Sequence, residues 1–316
     1  MALVIDSLRK RFGTVQALDG ISFTAQPGQV FGFLGANGAG KTTTMRIVLD
    51  VIRADEGSAT WNGVPTRDVP RRTWGYLPEE RGLYPRMKVL DQLVFIGVLH
   101  GLTRAEAARR ARHWLGRFRV PHYADRRAEE LSKGNEQKIQ FIAAVLHDPD
   151  VLLMDEPFTG LDPINVALLK EAFLELRDRG KALVFSTHQM EMVEELCDAI
   201  AIIDSGRVLV SGPTADVKRD SGHAVVRLGV AGDPDLAWLD ALPGARVTRS
   251  GRDYHELELR DGLAPGWILR EALARDAQVT RFEIAQPSIE DIFVERVGVT
   301  TTDERTLAAV NGEAVR

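Results

Sequence analysis

The sequence predicts an α/β fold built around a parallel β-sheet, and three observations support that class. Short apolar runs alternate with helical segments through most of residues 1–220. One apolar run, residues 30–34, leads directly into a glycine-rich loop and then into a helix. Several runs end in acidic or polar residues, which a parallel sheet gathers at its carboxyl edge, where such sheets bind ligands. We therefore expect the functional site at that edge.

The glycine-rich loop fits the pattern G-x-x-x-x-G-K-[ST], which is typical of a phosphate-binding loop between a strand and a helix. Its glycines let backbone N–H groups converge on an anion, and the helix expected over residues 43–52 adds partial positive charge. Lys41 can reach the outer phosphates, and the Thr42 hydroxyl can ligate Mg²⁺. A glycine-rich turn with a solvated lysine is the alternative that this agreement disfavours. The loop comprises Gly35, Ala36, Asn37, Gly38, Ala39, Gly40, Lys41 and Thr42.

The other elements of the first 220 residues follow from hydrophobic periodicity. Two strands are expected to open a sheet before the loop, and residues 87–147 are mostly helical. Buried strands then alternate with amphipathic helices. The predicted strands cover residues 3–8, 21–25, 57–63, 74–77, 151–154, 182–186 and 199–203. The predicted helices cover residues 104–118, 131–147, 163–178 and 190–197.

Acidic and polar side chains follow three of these strands. Asp155 can hold Mg²⁺, directly or through water, and Glu156 can polarise a water for attack on the γ-phosphate. An acidic cluster before a turn is the plainer interpretation of this pair. His188 ends a neighbouring strand, where it can hydrogen-bond a γ-phosphate, although a lone histidine is more often a core or surface residue. Glu79 follows a third strand at the same edge.

Two features stay ambiguous on the residues alone. Phe12 sits among charged residues and is either an exposed ring that stacks on a nucleobase or a ring folded back on the sheet. The turn at residues 132–135 precedes a helix with an apolar stripe, and it could be a second anion-binding helix start.

Composition and charge limit the class of protein. Apolar residues make up 44% and charged residues 27% of the 316 residues, as in ordinary globular proteins of about two domains. The formal charge of −5, from 40 basic and 45 acidic residues, gives no electrostatic reason to expect nucleic acid as the main partner. The single cysteine, Cys197, excludes an intrachain disulfide and suits a reducing cytosol.

Neither a signal peptide nor a membrane span is expected. The N-terminus lacks an apolar stretch of sufficient length, and the longest apolar run, Leu93–Leu99, is far below the roughly 20 residues that span a bilayer. Work at a membrane would therefore require another subunit.

The character of the chain changes after about residue 220. Residues 221–298 are predicted to form a small α+β domain without a chemical motif, and residues 299–316 a flexible tail. The predicted strands of this α+β domain are 223–228, 245–249, 254–259 and 279–284, and its predicted helices are 233–242, 266–273 and 288–297.

The motifs of residues 1–220 resemble those of the ATPase subunit of an ATP-binding cassette (ABC) transporter. The glycine-rich loop matches the family's Walker A motif, and residues 151–156 match Walker B with its catalytic glutamate. Residues 131–135 match the signature loop, residues 160–162 the D-loop, and His188 the switch histidine. The resemblance implies a P-loop NTPase fold with a parallel core sheet, an antiparallel β subdomain and a helical subdomain at about residues 87–147.

The resemblance also implies roles for individual residues, with ATP and Mg²⁺ as the ligands. Catalysis falls to Glu156 and His188, and metal binding to Thr42, Glu79 and Asp155. Nucleotide binding falls to Phe12 as the adenine-stacking ring, Gly35–Thr42, Thr43, Ser132, Gly134 and Asp162.

The chain departs from the family pattern in two places. The signature usually reads Leu-Ser-Gly-Gly-Gln, whereas Lys133 and Asn135 stand at its third and fifth positions here. Glu79 stands where the family usually has glutamine. Residues 78–85 and 286–293 resemble an exporter branch, which includes sodium-extrusion and antibiotic-export ATPases with an appended C-terminal domain.

The resemblance implies a cytoplasmic ATPase held at the inner face of the cell membrane by integral permease subunits. Two copies pair head to tail, and each ATP lies between Walker A of one copy and the signature loop of the other. A soluble ABC ATPase that acts on ribosomes or DNA is the alternative, disfavoured by the single cassette and the acidic charge. The C-terminal domain could also sense a ligand and regulate the exporter.

Overall fold

The structure is a computed structural model that describes residues 1–80, 82–221, 224–232, 237–240, 242–251, 253–259 and 262–298. The expected helical start at residues 233–236 and the expected flexible tail at 299–316 lie outside these residues. The chain divides into two units between Thr214 and Ala215, earlier than the expected domain boundary at residue 221. Each unit is described by itself.

The first unit contains two β-sheets. An antiparallel sheet has the order β2-β1-β4-β5, and a six-stranded sheet has the order β10-β9-β3-β8-β7-β6. Strands β9, β3, β8, β7 and β6 run parallel to one another, and β10 pairs antiparallel with β9. The strands are β1 (Leu3–Phe12), β2 (Val15–Ala25), β3 (Gln29–Leu34), β4 (Glu56–Trp61), β5 (Val64–Pro65), β6 (Trp74–Leu77), β7 (Val151–Asp155), β8 (Ala182–Thr187), β9 (Ala199–Asp204) and β10 (Arg207–Pro213).

Seven α-helices accompany these strands among the described residues of the first unit and its boundary. They are α1 (Lys41–Val48), α2 (Val89–Leu99), α3 (Arg104–Arg117), α4 (Lys133–Val145), α5 (Pro163–Asp178), α6 (Met190–Leu196) and α7 (Thr214–Asp220). Helix α5 begins where predicted, because Asp162 caps its N-terminus and Pro163 fits the first turn. Within the described residues no helix has both the length and the apolarity to cross a membrane.

A hydrophobic core joins the two sheets of the first unit. Phe23 of the antiparallel sheet stacks on Phe31 of β3 with ring centroids 4.8 Å apart, and α1 contributes Met45 and Val48 to the same cluster. Strands β7 and β8 are buried at every position, as their continuous apolar runs predict. This rigid core fixes the carboxyl edge of the parallel sheet.

The second unit is a small α+β domain. Its antiparallel sheet has the order β12-β13-β11-β14, and two helices contribute to an apolar cluster on the sheet. The elements are β11 (Ala224–Ala231), α8 (Ala237–Asp240), β12 (Ala245–Ser250), β13 (His255–Leu259), α9 (Pro265–Ala274), β14 (Gln278–Ala285) and α10 (Ile289–Val297).

The predicted α/β class, with its helical region and appended α+β domain, is confirmed, whereas two local predictions are wrong and two elements were not predicted. Residues 10–12 are the end of β1 rather than a connection, since a bulge near Ser7 (φ 51°) lets that strand continue. The core sheet also gains the antiparallel edge strand β10, followed by helix α7, neither of which was predicted. Helix α1 begins at Lys41, two residues before the predicted start.

Candidate active site

The glycine-rich loop connects β3 to α1, and its backbone requires glycine at defined places. Gly38 and Gly40 adopt φ angles of 84° and 110°, which side chains rarely tolerate. A Cβ atom on Gly35 would lie 2.6 Å from the carbonyl oxygen of Ile203. The loop therefore packs its backbone against β9 and turns into the helix without a side-chain cap. A loop of this shape at the start of a helix, whose first N–H groups lack partners within the helix, favours an anion site here.

Lys41 is a buried cation at the start of α1. Its side chain is 6% exposed, and its Nζ donates hydrogen bonds to the carbonyl oxygens of Gly35 (2.7 Å) and Ala36 (3.2 Å). Burial lowers the pKa of Lys41, while the carboxylates of Glu156 and Asp155 act in the opposite direction. The ammonium group thus has neutral hydrogen-bond partners and remains available to an anion in the loop.

Thr42 and Asp155 come together as predicted for a magnesium site. The Thr42 hydroxyl donates to Asp155 Oδ2 at 2.6 Å, and the Ser186 hydroxyl donates to Asp155 Oδ1. Asp155 is 1% exposed at the end of β7. A hydroxyl and a carboxylate are the hard oxygen ligands that Mg²⁺ takes beside nucleotide phosphates, so these residues fit the ion. Among the described residues, no three His, Cys, Asp or Glu side chains are grouped to hold a metal by themselves.

Glu156 leaves β7 in an uncommon backbone conformation, with φ 48°. Its backbone N–H bonds the Ser186 carbonyl of β8 at 3.1 Å, and its carboxylate is 6% exposed. Thr187 Oγ1 donates to Glu156 Oε2 at 3.1 Å, and His188 Nδ1 lies 2.8 Å from Oε1. The hydrogen bond to Glu156 raises the pKa of His188. Both carboxylate oxygens therefore have a partner from the end of β8.

Glu79 follows β6 at the same edge, and its side chain keeps an exposed surface. Partial burial of the carboxyl raises its pKa, and the nearby negative charges of Asp155 and Glu156 raise it further. Lys41 acts in the opposite direction. Glu79 therefore lies close enough to Asp155, Glu156 and Lys41 for their charges to affect it.

The signature turn, residues 132–135, begins helix α4. Ser132 is exposed, and its Oγ accepts hydrogen bonds from the backbone N–H (3.4 Å) and side-chain amide (3.0 Å) of Asn135. The Asn135 amide also donates to the Tyr123 hydroxyl at 3.1 Å. A Cβ atom on Gly134 would lie 3.6 Å from the Gly160 carbonyl oxygen, so this turn lies beside the segment with Asp162. Asp162 itself caps α5 by accepting from Asn165.

The predicted aromatic and loop residues occupy varied environments. Phe12 is 48% exposed at the end of β1, with Lys10 Nζ 5.5 Å from its ring centroid, so the ring is not folded into the core. Ala36 and Asn37 are exposed at the loop tip, Ala39 is buried, and Thr43 is half-buried in α1.

Sequence reasoning missed the hydroxyl groups of Ser186 and Thr187. Both are buried at the end of β8, beside Asp155 and Glu156. Their position directly before His188, at the end of a predicted buried strand, was the available signal. The register that sets Ser186 opposite Asp155 is a property of the folded sheet.

The fold and this edge of the sheet define a P-loop protein that binds and hydrolyses a nucleotide. The model of the ABC transporter family matches residues 18–159, and that of the C-terminal domain of DrrA1-3-like ATP-binding proteins matches residues 212–297. The Bacillus subtilis ABC transporter ATP-binding protein YhaQ is 44% identical over 94% of this chain and 98% of its own length. The chain therefore belongs to the ATP-binding subunits of ABC transporters, which hydrolyse ATP.

Other similar proteins agree with this family. The Nod factor export ATP-binding protein I of Paraburkholderia xenovorans is 36% identical over 72% of this chain and 76% of its own length. A solved ATP-binding subunit of an ABC transporter superposes with a TM-score of 0.66 and 31% identity, over 70% of this chain and 94% of that chain. The expected appended C-terminal domain is confirmed, and none of these matches supports the alternative of an ATPase that acts on ribosomes or DNA.

Proposed function

We propose that this subunit powers export through a separate permease, and that Lys41, Asp155, Glu156 and His188 carry out ATP hydrolysis at the carboxyl edge of the core sheet. The observation that carries the proposal is the arrangement where β7 and β8 end. There two buried carboxylates and a histidine lie beside the phosphate loop, which holds the buried cation Lys41.

ATP binding begins with the phosphate loop. Lys41 exchanges its bonds with the Gly35 and Ala36 carbonyls for bonds with phosphate oxygens, while the loop N–H groups surround the phosphates. The exposed ring of Phe12 stacks on the adenine base.

Thr42 and Asp155 would hold Mg²⁺, and Glu79 would be a further ligand. Mg²⁺ would neutralise phosphate charge during the reaction. In the structure the Thr42 hydroxyl donates to Asp155, so both side chains are already directed toward a common point.

Glu156 acts as the general base. Its carboxylate accepts a proton from the attacking water. His188 holds Oε1 through Nδ1 and contacts the γ-phosphate through its other ring nitrogen. The negative charges of Asp155 and Glu156 repel phosphate, and the buried ammonium of Lys41 offsets this repulsion.

A second copy of the chain completes the site. Exposed Ser132 and half-buried Gly134 at the start of α4, with exposed Asp162 at the start of α5, contact the nucleotide held by the partner's phosphate loop. When two copies pair head to tail, each signature turn contacts the phosphates of the nucleotide that the other copy binds.

The permease contacts an apolar patch, the α2 patch, formed by Phe95, Val98 and Leu99 of α2 together with Tyr84 from the segment before that helix. All four side chains are at least 42% exposed, and the ring centroids of Tyr84 and Phe95 lie 6.2 Å apart. Phe95, Val98 and Leu99 share one helix face. Beside the patch is a cavity of about 330 Å³, lined in part by Val51, Leu83 and Ile96. Such a surface suits a cytoplasmic segment of the permease, which would hold this subunit at the inner face of the membrane.

The permease contact is tested by co-expressing this chain with a candidate permease, a multi-spanning membrane protein that carries the purification tag. Val98→Asp should abolish co-purification with that protein while ATP binding by the subunit persists. Val64→Asp is the matched control, since Val64 is 45% and Val98 44% exposed. Equal co-purification of both variants would refute the α2 patch as the contact.

A further inference from the structure

Thr187, the last residue of β8, has a buried hydroxyl with two defined partners. The side chain is 1% exposed. Its Oγ1 accepts a hydrogen bond from the backbone N–H of Gln189 at 3.0 Å and donates to Glu156 Oε2 at 3.1 Å. A hydroxyl carries one proton, and the bond from Gln189 orients the oxygen so that this proton points to Glu156.

The Glu156 carboxylate depends on this bond. Its other oxygen faces His188, and its backbone is held in the left-handed region by the bond to the Ser186 carbonyl. A buried carboxylate oxygen without a donor is costly, so loss of the Thr187 hydroxyl would favour rotation of the Glu156 carboxylate. That rotation would move the base out of line with the attacking water.

We propose that Thr187 is a positioning residue for the general base. It fixes the rotation of the Glu156 carboxylate by bonding Oε2, while His188 holds the opposite oxygen. The inference rests on the proposed role of Glu156. Among the described residues, the Thr187 hydroxyl bonds the Glu156 carboxylate and the Gln189 N–H, whereas the Lys41 ammonium bonds carbonyls of the loop.

The purified full-length chain tests this role with two substitutions at one position. Thr187→Val keeps the shape and removes the hydroxyl, and Thr187→Ser keeps the hydroxyl. Thr187→Val should lower kcat by about 10- to 100-fold, the range for a lost hydrogen bond to a charged group. Its ATP dissociation constant should stay at the wild-type value. Thr187→Ser should restore most of kcat.

The division between kcat and ATP affinity separates a positioning role from a structural one. A misfolded variant would lose both, whereas loss of the Thr187 hydroxyl should lower kcat alone. A melting temperature and an ATP affinity equal to wild type establish that this variant is folded. Unchanged kcat would overturn the proposal, as would a Thr187→Ser variant as slow as Thr187→Val.

A double-mutant cycle then identifies the residue through which Thr187 acts. In a Glu156→Gln background, Thr187→Val should have no further effect on the residual hydrolysis. An additional loss equal to that in the wild-type background would overturn the proposal. If Glu156→Gln itself retains normal turnover, the proposed role of Glu156 fails. If Glu156→Gln is slow and Thr187→Val is normal, only the Thr187 inference fails.

Discussion

The carboxyl edge of the core sheet and the signature turn are both suited to bind phosphate. They differ in how far their functional side chains are already buried and hydrogen-bonded within one chain. At the edge, Lys41, Asp155 and Glu156 are buried and hydrogen-bonded within the chain. At the turn, Ser132 is exposed, and its hydroxyl accepts hydrogen bonds from Asn135 of the same turn. The first region has its charges arranged before any nucleotide arrives. The second presents a helix start to solvent.

This difference separates binding from turnover. A preorganised edge can hold ATP in one copy of the chain, because its donors and its cation already face a common site. An exposed turn adds to the reaction only when a second copy brings it to that nucleotide. Substitutions at the edge should therefore affect the isolated subunit, and substitutions at the turn should affect only the pair.

The largest effect is expected at Lys41, the cation of the edge. Lys41→Ala should abolish ATP hydrolysis and strongly weaken nucleotide binding, because no other residue of the loop carries a positive side chain. Turnover by the purified variant and binding of a fluorescent ATP analogue measure both quantities. Near-normal turnover would break the assignment of the edge as the ATP site.

Glu156→Gln should bind ATP yet hydrolyse it about 10² to 10⁴ times more slowly, since the amide keeps the shape of the side chain and loses the base. The variant should accumulate as an ATP-bound dimer, visible by size-exclusion chromatography with ATP and Mg²⁺. A monomer with rapid turnover would show that Glu156 is not the base.

At the signature turn, Gly134→Asp should reduce turnover by on the order of 10² while the monomer binds ATP normally. The new Cβ meets only ordinary contacts, and an acidic residue stabilises the first turn of α4, so the fold should persist. The carboxylate would repel the partner's nucleotide. Gly266→Asp is a matched control, because Gly266 is likewise the second residue of a helix, α9, with open space at its Cβ. Weakened ATP binding by the Gly134→Asp monomer would contradict the division between edge and turn.

The smallest effect is expected at Glu79. If its carboxylate joins the metal ligands, Glu79→Gln should raise the Mg²⁺ concentration for half-maximal activity by a few-fold, with a modest change in ATP affinity at saturating metal. The raised pKa of Glu79, from partial burial and neighbouring carboxylates, agrees with a position beside the site. Superimposable Mg²⁺ titrations of wild type and variant would instead indicate that Glu79 faces solvent or the permease.

The sequence predicted the edge better than its surroundings, for physical reasons. Continuous apolar runs ending in Asp155 or before His188 identify buried parallel strands and the side chains at their ends. Strand β10 was not predicted, because its residues, Arg207–Pro213, alternate between exposed and half-buried and contain no long apolar run. The Thr187 bond to Glu156 depends on the register of β7 and β8, which spacing along the chain does not encode.

The most direct test of the paired site mixes two inactive variants, Lys41→Ala and Gly134→Asp. In a head-to-tail pair of one copy of each, one site contains both changes, whereas the other contains a wild-type loop and a wild-type signature turn. ATP hydrolysis by the mixture should therefore rise well above the sum of the separate activities, with a maximum near equal proportions. If each site lay within one chain, hydrolysis would equal that sum at every ratio, and the account of a shared site would be wrong.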